Sequence, residues 1–543
     1  MRALPAIAAA LLTTAAAAQD KGPIAPDRLS ADVKTLASAA FEGRAPGTPG
    51  EARTVDWLIG QFKSMGLEPG GPGGAWTQAV PLIHTRTGAG TIRAGDLPLV
   101  QGRDIYVGTD RAVDRVAIAA APMVFVGYGV DAPERGWDDF KGVDLKGKIA
   151  VFLVNDPDFE AAAGDDSIGK FGGRRMTYYG RWTYKYEEAA RRGAVGALIV
   201  HDTPGAGYGW STVTAPAGEN YDIVRADPTS VVLLQGWLQG DAAAKLFAAS
   251  GLDLAKLRTS ARRSAFRPVT LKTRLSVDLP VTQEHIESRN VLAKITGTRH
   301  PGEVVMLGAH WDAYGLGKPD ARGRTMRPGA NDDGLGVAGV LEMARAFKAA
   351  PQTDRSVVFA LWTGEERGLL GSETYAVAPV YPAAKTVANL TLDILQTAGP
   401  SHDVLLVGAG QDSIEGMLGD AATAQGRVVT PEALPQRGLF YRADHFSLAK
   451  RGVPTLLLMA ISGAPDLVTG GRPAGQAWLD GYMKCYHQTC DAWDADWKLR
   501  GAADDVDLVY SVARRLADGR DWPIWSAGSE FKAVRDATAA ARR

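Results

Sequence analysis

The stretch that decides the fold lies between residues 304 and 395 and contains four segments: VVMLGAHWD (304–312), GANDDGLGVAGVLEMARAF (329–347), SVVFALWTGEERGLLGSETY (356–375) and VANLTLDIL (387–395). Acidic or imidazole side chains stand where the apolar, β-branched runs end. In an open α/β sheet, ligands bind at the carboxyl ends of the strands. We therefore expect one polar site at one edge of one sheet, with these candidates: His310, Asp312, Asp332, Glu365, Glu366, Asp393 and, from further along the chain, His487.

Length and composition indicate an ordinary globular protein of two domains. The chain has 543 residues, which is more than one hydrophobic core usually supports. It contains 60 Lys and Arg against 61 Asp and Glu, so its formal net charge is -1. This balance provides no positive surface for nucleic acid or for an anionic membrane, and we expect neither as a partner.

The first residues, MRALPAIAAALLTTAAAA (1–18), have one positive charge, an apolar run and small residues at the end. This pattern predicts a secretory signal peptide that is cleaved after Ala18, and hence a periplasmic or secreted protein. A membrane anchor is the alternative, but the apolar run is short and rich in alanine. No other span of the sequence resembles a transmembrane helix, so we expect no membrane contact after cleavage.

The rest of the chain predicts one domain interrupted by another. In residues 282–543 apolar runs alternate with helical patterns, which favours a three-layer α/β/α domain with a mixed, largely parallel sheet. Residues 19–112 supply its N-terminal part, including FEGRAPGTP (41–49), which is either a functional loop or an ordinary turn. Residues 113–281 contain short apolar runs and no cluster of His and carboxylates. We interpret them as an inserted β-rich domain that shapes access or binds a ligand.

Two of the motifs precede the third apolar run. His310 and Asp312 can face the same way on a strand, so Asp312 can hydrogen-bond one imidazole nitrogen while the other binds a metal. Asp332 and Asp333 lie in a glycine-rich turn before a helical pattern. One can cap that helix while the other is a ligand, which two metal ions about 3.5–4 Å apart would share. Taken alone, each motif also fits a surface pair or a simple helix cap.

The later motifs are also acidic or imidazole. Glu365 and Glu366 follow SVVFALW, and adjacent carboxylates in a turn repel each other. One can be a metal ligand and the other a general base, whereas a solvated charge pair is the alternative. Asp393 interrupts an apolar run, where burial of a charge is costly unless a partner or a metal ion offsets it. His487 completes the set in CYHQTCD (485–491).

The ligand types indicate the metal. Imidazole and carboxylate groups without thiolate suit Zn²⁺, with Mn²⁺ or Co²⁺ as substitutes. A single tetrahedral catalytic zinc needs fewer than five protein ligands, because it keeps one position open. Two ions that share one carboxylate therefore fit the set better. Cys485 and Cys490 flank His487 and are expected to form a disulfide in an oxidising compartment; thiolate ligation is the less favoured alternative.

Together these motifs resemble those of a known family. In order and spacing they are similar to the motifs of the di-zinc aminopeptidases of metallopeptidase family twenty-eight, which also includes glutamate carboxypeptidase and the metal-free transferrin receptor. The motifs concerned are His310-x-Asp312, NDDG (331–334), Glu365-Glu366, Asp393 and Tyr486-His487. Residues 113–281, with GVDLKGKIAVFLV and AARRGAVGALIV, resemble the protease-associated domain that such enzymes often contain.

The resemblance implies a role for each matching residue. Five would bind two zinc ions: Asp332 as the shared ligand, His310 and Asp393 at one ion, and Glu366 and His487 at the other. Glu365 would be the general base, Asp312 would orient His310, and Tyr486 would hold the developing oxyanion. The block FYRADHFSLAKRGVP (440–454) resembles a recurrent family segment, and its residues at the substrate end of the site would be Arg442, Asp444 and His445.

The implied function is that of a secreted or periplasmic zinc-dependent aminopeptidase, which removes N-terminal residues from peptide substrates. Two zinc ions would acidify a water, whose proton Glu365 accepts and then passes to the leaving amine. A carboxypeptidase or dipeptidase of the same family is the main alternative; it needs a basic pocket for the substrate carboxylate, for which Arg437 and Arg442 are candidates. A single-zinc glutaminyl cyclase and a non-catalytic binding protein fit less well, because every ligand position is filled.

Overall fold

The computed structural model describes residues 23–542, so the predicted signal peptide lies outside the described residues. Within this range no helix is long and apolar enough to cross a membrane. The α-helices are α1 (Pro26–Leu36), α2 (Pro49–Ser64), α3 (Trp182–Arg191), α4 (Thr203–Ala206), α5 (Trp210–Thr214), α6 (Gly240–Ala249), α7 (Leu254–Ser260), α8 (Gly334–Ala349), α9 (Leu370–Val377), α10 (Ile414–Ala424), α11 (His445–Ala449), α12 (Gly471–Tyr482), α13 (Arg500–Asp518) and α14 (Lys532–Ala537).

The strands belong mainly to two large sheets, which share one long strand. In chain order they are β1 (Glu68–Pro69), β2 (Thr77–Thr87), β3 (Thr91–Ala94), β4 (Leu97–Pro98), β5 (Ile105–Gly108), β6 (Arg115–Phe125), β7 (Asp131–Ala132), β8 (Trp137–Asp138), β9 (Ile149–Leu153), β10 (Gly196–Val200), β11 (Glu219–Ile223), β12 (Leu234–Leu238), β13 (Val269–Ile295), β14 (His300–His310), β15 (Gly315–Leu316), β16 (Met326–Arg327), β17 (Arg355–Trp362), β18 (Thr386–Leu392), β19 (Asp403–Leu406), β20 (Val428–Pro431) and β21 (Thr455–Leu458).

Four parallel strands form the centre of the first sheet, in the order β21–β18–β14–β17. The last part of β13 continues this sheet as an antiparallel neighbour of β17, and β2 and β11 follow it. At the opposite edge, β19 pairs with β21 and runs parallel to β20. Every residue of β17 and of β18 is buried, as expected for parallel strands that are covered on both faces.

Helices cover both faces of the first sheet. On β14, Val305 and Leu307 face a core that also contains residues of α1, α2, α8 and α13, whereas Val304 and Met306 face a second core with residues of α9 and α11. Successive residues of a strand point to opposite faces, so the apolar run VVMLGA is buried from both sides. The predicted three-layer α/β/α architecture with a mixed, largely parallel sheet is confirmed.

The second sheet consists of β3 to β6, β9, β10, β12 and the first part of β13. Its two faces are apolar: Val151 and Leu198 belong to one core cluster, and Phe152 and Ile199 to another. The strands β3 and β5 pair within this sheet although they precede residue 113, where the sequence places the start of the insertion. We call residues 88–281 the inserted unit; its identity as a protease-associated domain stays a prediction.

The two sheets are joined by β13, whose first part pairs with β6 and whose last part pairs with β17. A loop of the inserted unit also packs on the main domain. The backbone N–H of Met176 donates to the carbonyl of Pro435 at 3.1 Å, and the Tyr178 ring lies 5.3 Å from that of Phe446. The inserted unit therefore lies against the segment between β20 and α11.

Candidate metal centre

The carboxyl ends of three neighbouring parallel strands meet at one edge of the first sheet. His310 is the last residue of β14, Asp393 directly follows β18, and Glu365 and Glu366 lie in a short turn after β17. Because β14 lies between the other two strands, these ends are adjacent in space. The strand order thus brings together residues that are far apart in sequence, at the place where α/β sheets bind ligands.

Two further side chains reach this edge from loops. Asp332 precedes α8, and His487 lies between α12 and α13. The side chains form two groups whose ligand atoms lie within 4.8 Å of one another, with Asp332 in both: His310, Asp332 and Asp393, and Asp332, Glu366 and His487. Asp332 Oδ1 lies 3.2 Å from His310 Nε2, and Asp332 Oδ2 lies 3.2 Å from His487 Nε2. Its two oxygens therefore face different groups, as a shared ligand requires.

The electrostatics of these groups suit divalent cations. Asp393 is buried, and its Oδ1 has no hydrogen-bond partner within residues 23–542. Burial, together with the Asp332 carboxylate, raises the pKa of Asp393 to about 8. Burial and neighbouring carboxylates also raise the pKa values of Glu365 and Glu366 well above the usual range. Carboxylates so close together in a buried site repel one another, and bound cations would offset both this repulsion and the lost hydration.

The two adjacent aspartates before α8 have different environments. Burial would raise the pKa of Asp332, but its hydrogen bond with His310 and its contact with His487 outweigh this effect and lower the pKa. Asp333 instead caps α8: its Oδ1 accepts from the Gly336 N–H at 2.9 Å, and its Oδ2 accepts from the backbone N–H of His310 at 3.2 Å. One aspartate thus caps the helix while the other faces both groups, which is the division that the glycine-rich turn allows.

Asp312 connects His310 with Glu365. The Nδ1 of His310 donates to the backbone carbonyl of Asp312 at 3.1 Å, while the nearer carboxylate oxygen of Asp312 lies 3.6 Å away. That oxygen accepts the backbone N–H of Glu365 at 3.0 Å. The sequence predicts an imidazole–carboxylate contact, whereas in the structure the main chain of Asp312 orients the ring and its carboxylate holds the turn with Glu365. Orientation of a ligand ring by a hydrogen bond at its other nitrogen is usual in metal sites.

Glu365 lies beside the two groups but belongs to neither. Its Oε2 is 3.8 Å from His310 Nε2, while Glu366, its neighbour in the same turn, lies 3.1 Å from His487 Nε2. The turn thus directs one carboxylate into a ligand group and leaves the other next to the cluster. Glu366 thus has the position that a metal ligand would need, and Glu365 has the position that a general base would need.

The loop with His487 is held by a disulfide between Cys485 and Cys490, as the sequence predicts. His487 has a φ of 62°, in the left-handed region that is uncommon for residues other than glycine. The Tyr314 hydroxyl lies 3.2 Å from His487 Nδ1, and the Tyr486 ring lies 3.7 Å from the imidazole ring. Residues in such backbone conformations occur often at functional sites, where the surroundings maintain them.

Asp491 supports the loop of Asp332, and the sequence analysis missed it. Its two carboxylate oxygens accept the backbone N–H groups of Asn331 at 3.0 Å and of Asp332 at 3.1 Å. Its own carbonyl accepts the N–H of Ala330 at 3.0 Å. The residue directly follows Cys490, so the disulfide loop that contains His487 also holds the shared aspartate. In the sequence, the signal for this role was an acidic residue directly after Cys490.

Arg44, the second residue missed, lies within FEGRAPGTP. Its side chain is fully buried, and its guanidinium donates to four carbonyls: Trp311 at 2.7 Å, Pro328 at 2.6 Å, Gly329 at 2.8 Å and Leu36 at 3.1 Å. Two of the connected segments carry His310 and Asp332. FEGRAPGTP is therefore a loop that organises the site and not an ordinary turn, and the Arg between Gly and Pro residues was the signal.

The predicted substrate-end residues differ in accessibility. Asp444 and His445 are buried at the start of α11, and the His445 ring packs edge-on against Phe440 at 4.7 Å. Burial raises the pKa of Asp444 to about 7 and lowers that of His445 to about 3. Arg442 is half-buried, and its charge acts on Asp393. Of the three, Arg442 is the one whose side chain is partly exposed to solvent.

Fold and site together define a class: an α/β/α protein with a centre of carboxylates and histidines, suited to metal ions, at the carboxyl ends of its parallel strands. Residues 290–511, which contain the whole of this centre, match the model for peptidase family M28. This part of the chain is therefore similar to that family.

Several proteins of known name are similar to the chain. "Probable lipoprotein aminopeptidase LpqL" of Mycobacterium tuberculosis is 27% identical over 371 residues, which is 68% of this chain and 58% of that protein. "Leucine aminopeptidase 2" of Arthroderma otae is 26% identical over 517 residues, covering 91% of this chain and 85% of that one. The chain thus spans less than two thirds of the mycobacterial relative. A solved aminopeptidase from Aneurinibacillus sp. strain AM-1 aligns over 92% of this chain and 96% of its own length, with a TM-score of 0.49 and 21% identity.

Proposed function

We propose that this chain is a zinc-dependent exopeptidase that removes N-terminal residues from peptides. One observation carries the proposal: Asp332 belongs to two groups of ligand atoms, and Glu365 lies beside them without joining either. The match of residues 290–511 to peptidase family M28 and the aminopeptidase names of two relatives support the same activity. Imidazole and carboxylate ligands without thiolate favour zinc over softer or harder ions.

Two zinc ions would be held by the two groups, with Asp332 shared between them. His310 and Asp393 would complete one site, and Glu366 and His487 the other. Metal ions in such a site lower the pKa of a water and polarise a carbonyl, which is the chemistry that amide hydrolysis needs. The cluster of carboxylates around these positions would also attract the protonated α-amine of a peptide substrate, which favours cleavage after the first residue.

Glu365 would transfer the proton. It would accept the proton of the attacking water and deliver it to the nitrogen of the leaving amine, so that one carboxylate serves as base and then as acid. Its turn is fixed by the bond from its backbone N–H to Asp312 at 3.0 Å, which holds the carboxylate beside His310. A general base must lie close to the attacking water and be held in position, and the hydrogen bond to Asp312 holds the turn of Glu365 in position.

Tyr486 would stabilise the negative charge that develops on the scissile carbonyl oxygen. Burial and the charge of Asp332 keep the pKa of its hydroxyl well above the usual value, so the group is an O–H donor at neutral pH. A donor that is already in place when charge develops stabilises a transition state more than one that must reorient.

We also propose that the chain is exported, which agrees with the pattern of residues 1–18 and with a disulfide around His487, and that the inserted unit is a protease-associated domain.

The first experiment combines metal analysis with hydrolysis of leucine p-nitroanilide by the purified protein. We expect about two zinc ions per chain, loss of activity on chelation, and recovery when zinc is added back. N-acetylated leucine p-nitroanilide is the matched control, because it lacks the free amine. Cleavage of an N-acetylated peptide at its C-terminal bond would instead support the carboxypeptidase alternative. The proposal would be refuted if the protein binds no zinc and, after zinc addition, cleaves neither leucine p-nitroanilide nor the N-acetylated peptide.

A further inference from the structure

Three arginines lie where the inserted unit meets the main domain, next to the metal centre. Arg181 directly precedes α3, and Arg437 and Arg442 belong to the segment between β20 and α11. All three side chains are half-buried. Among residues 23–542, none of their guanidinium groups has an acidic partner within ion-pair distance, and the Arg181 Nε is buried without a hydrogen bond. Half-buried guanidinium groups normally find such partners, because their desolvation is costly.

The positive charge of Arg442 acts on both of the other arginines. Burial, joined by the charge of Arg442, lowers the pKa of Arg181 to about 10. Burial and the same neighbour also lower the pKa of Arg437. Tyr208 of the inserted unit lies near Arg181 and Arg442, whose charges oppose the rise in its pKa that burial causes. Arg442 is therefore the centre of a positive cluster formed by both parts of the molecule.

Contacts between the two parts hold this cluster in place. The bond from Met176 N–H to the Pro435 carbonyl fixes the turn that contains Arg437. Tyr178 packs at 6.3 Å from the ring of Tyr441, which precedes Arg442, and Tyr178 lies in the short turn directly before Arg181. The cluster is thus built into an ordered interface. Like charges at an interface are unfavourable unless an anion joins them.

The segment that contains Arg442 also lies beside the metal centre. Tyr441, which precedes Arg442, packs in one apolar cluster with Ile394 and Tyr486, the residues that adjoin Asp393 and His487 in sequence. The cluster therefore begins beside the metal groups and extends away from them toward Arg181. A substrate whose scissile carbonyl lies at the metal groups would place the residue after the cleaved bond close to the arginines. Planar guanidinium groups bind carboxylates through paired, charge-assisted hydrogen bonds.

We propose that Arg181, Arg437 and Arg442 form a subsite for a carboxylate on the substrate residue that follows the scissile bond. The inference rests on the proposed exopeptidase function and names its substrate class: short peptides that carry a negative charge at this residue. The charge has two sources, the C-terminal carboxylate of a dipeptide or the side chain of Asp or Glu. In either case the inserted unit contributes Arg181 to substrate selection.

The test compares kcat/KM for Leu-Gly, Leu-Gly-amide and Leu-Glu-amide. We expect the substrates with a carboxylate to be favoured at least about 10-fold over Leu-Gly-amide, the equivalent of one charge-assisted hydrogen bond. Preference for Leu-Gly assigns the subsite to the C-terminal carboxylate, and preference for Leu-Glu-amide assigns it to an acidic side chain. Arg181→Gln and Arg442→Gln should each reduce the preference about 10-fold, Arg181→Lys should reduce it less, and Arg267→Gln, at an exposed position of the inserted unit, should preserve it.

Binding provides a readout independent of turnover. Calorimetry of the zinc-loaded Glu365→Gln variant should show about 10-fold tighter binding of Leu-Gly or Leu-Glu-amide than of Leu-Gly-amide, and adding Arg181→Gln should abolish the difference. Equal binding and equal hydrolysis of the three peptides, by protein that cleaves leucine p-nitroanilide, would overturn the subsite and leave the exopeptidase intact. Failure to cleave the anilide at all would instead remove the proposed function and the subsite with it.

Discussion

Some buried charges of the inserted unit differ from the carboxylates of the candidate metal centre in how they are compensated. In the inserted unit, Asp156 accepts the backbone N–H and the hydroxyl of Thr177, each at 2.7 Å, and the ammonium of Lys185 donates to the Asn155 carbonyl at 3.1 Å. In the main domain, Asp393 has an oxygen without any hydrogen-bond partner in the part of the chain that the structure describes. Protein groups satisfy the first charges, whereas the proposed metal ions would compensate the second.

This difference separates a structural charge from a functional one. Buried carboxylates in both regions have raised pKa values, about 7 for Asp156 and about 8 for Asp393, because both lose hydration. The pKa shift alone therefore does not identify the metal centre. Three other features distinguish the candidate metal centre: carboxylate oxygens without a hydrogen-bond partner among the described residues, an aspartate (Asp332) shared by two groups, and a position at three strand ends. The predictions below test whether charges of the two regions respond as differently as their contacts imply.

The largest expected effect is on catalysis. Glu365→Gln should reduce kcat for leucine p-nitroanilide about 10²–10⁴-fold, because a general base contributes a factor of this size, while the zinc content stays at two per chain. Asp156→Asn is the matched control: it changes a buried carboxylate of the inserted unit and should lower stability without changing kcat. Kinetics and mass spectrometry of the metal, measured on both variants, check the prediction. Full activity of Glu365→Gln would show that another group transfers the proton.

A large effect on stability is expected at Arg44. Arg44→Met removes a donor from four buried carbonyls, of which that of Gly329 keeps the Gly334 N–H, so the free energy of unfolding should fall by about 3–5 kcal/mol and zinc affinity should fall as well. Lys185→Met in the inserted unit also removes a buried cation, but it should change stability only. Denaturant unfolding and zinc titration distinguish the two variants. Unchanged zinc affinity of folded Arg44→Met would show that Arg44 does not position the metal loops.

Metal removal should affect one region and spare the other. A ligand present at 100 to 1,000 times its dissociation constant stabilises the native state by about 2.7–4.1 kcal/mol, so chelation should raise hydrogen exchange in the loops that hold the ligands. These loops are residues 329–333, 363–369 and 485–491. Exchange in the segment 149–153, which is strand β9 of the inserted unit, should stay the same. Equal increases in both regions would mean that the metal stabilises the whole molecule and not the site alone.

The sequence predicts the fold and most of the site for a physical reason. Parallel strands are buried on both faces, so they read as continuous apolar runs, and the polar residues that follow such runs must converge at one edge. His310, Glu365, Glu366 and Asp393 all lie at strand ends and could be predicted in this way. The role of each residue within the centre came from the resemblance to a family, because strand position alone does not separate a ligand from a base.

The residues that were missed act through the main chain of distant loops. Asp491 binds backbone N–H groups 159 and 160 residues away, and Arg44 reaches carbonyls as far as 285 residues away. Such contacts depend on how loops fold against one another, which leaves no periodic pattern. The same limit explains Asp312, whose carbonyl and not its carboxylate binds His310, and Arg181, which lies in a different unit from the site that it approaches.

The smallest expected effect is a dependence of stability on pH at Asp139, another buried carboxylate of the inserted unit. It accepts the N–H of Val130 at 3.0 Å and the indole N–H of Trp137 at 2.8 Å, and burial raises its pKa from 3.8 to about 7. A raised pKa means that the folded state holds the proton more tightly than the unfolded state. Asp139 therefore contributes stability that is complete below about pH 4 and is lost as the pH rises through about 7.

Asp139→Asn cannot lose this proton, so it isolates the contribution. Relative to the variant, the wild type should lose about 2 kcal/mol of unfolding free energy between pH 5.5 and pH 8, measured by denaturant titration. A constant difference, or one of opposite sign, would show that Asp139 is already ionised in the folded state at low pH. The dependence should be the same with zinc and with a chelator, because Asp139 lies in the inserted unit and belongs to neither group of possible metal ligands. A charge satisfied by the protein responds to protons, whereas the charges at the strand ends should respond to metal.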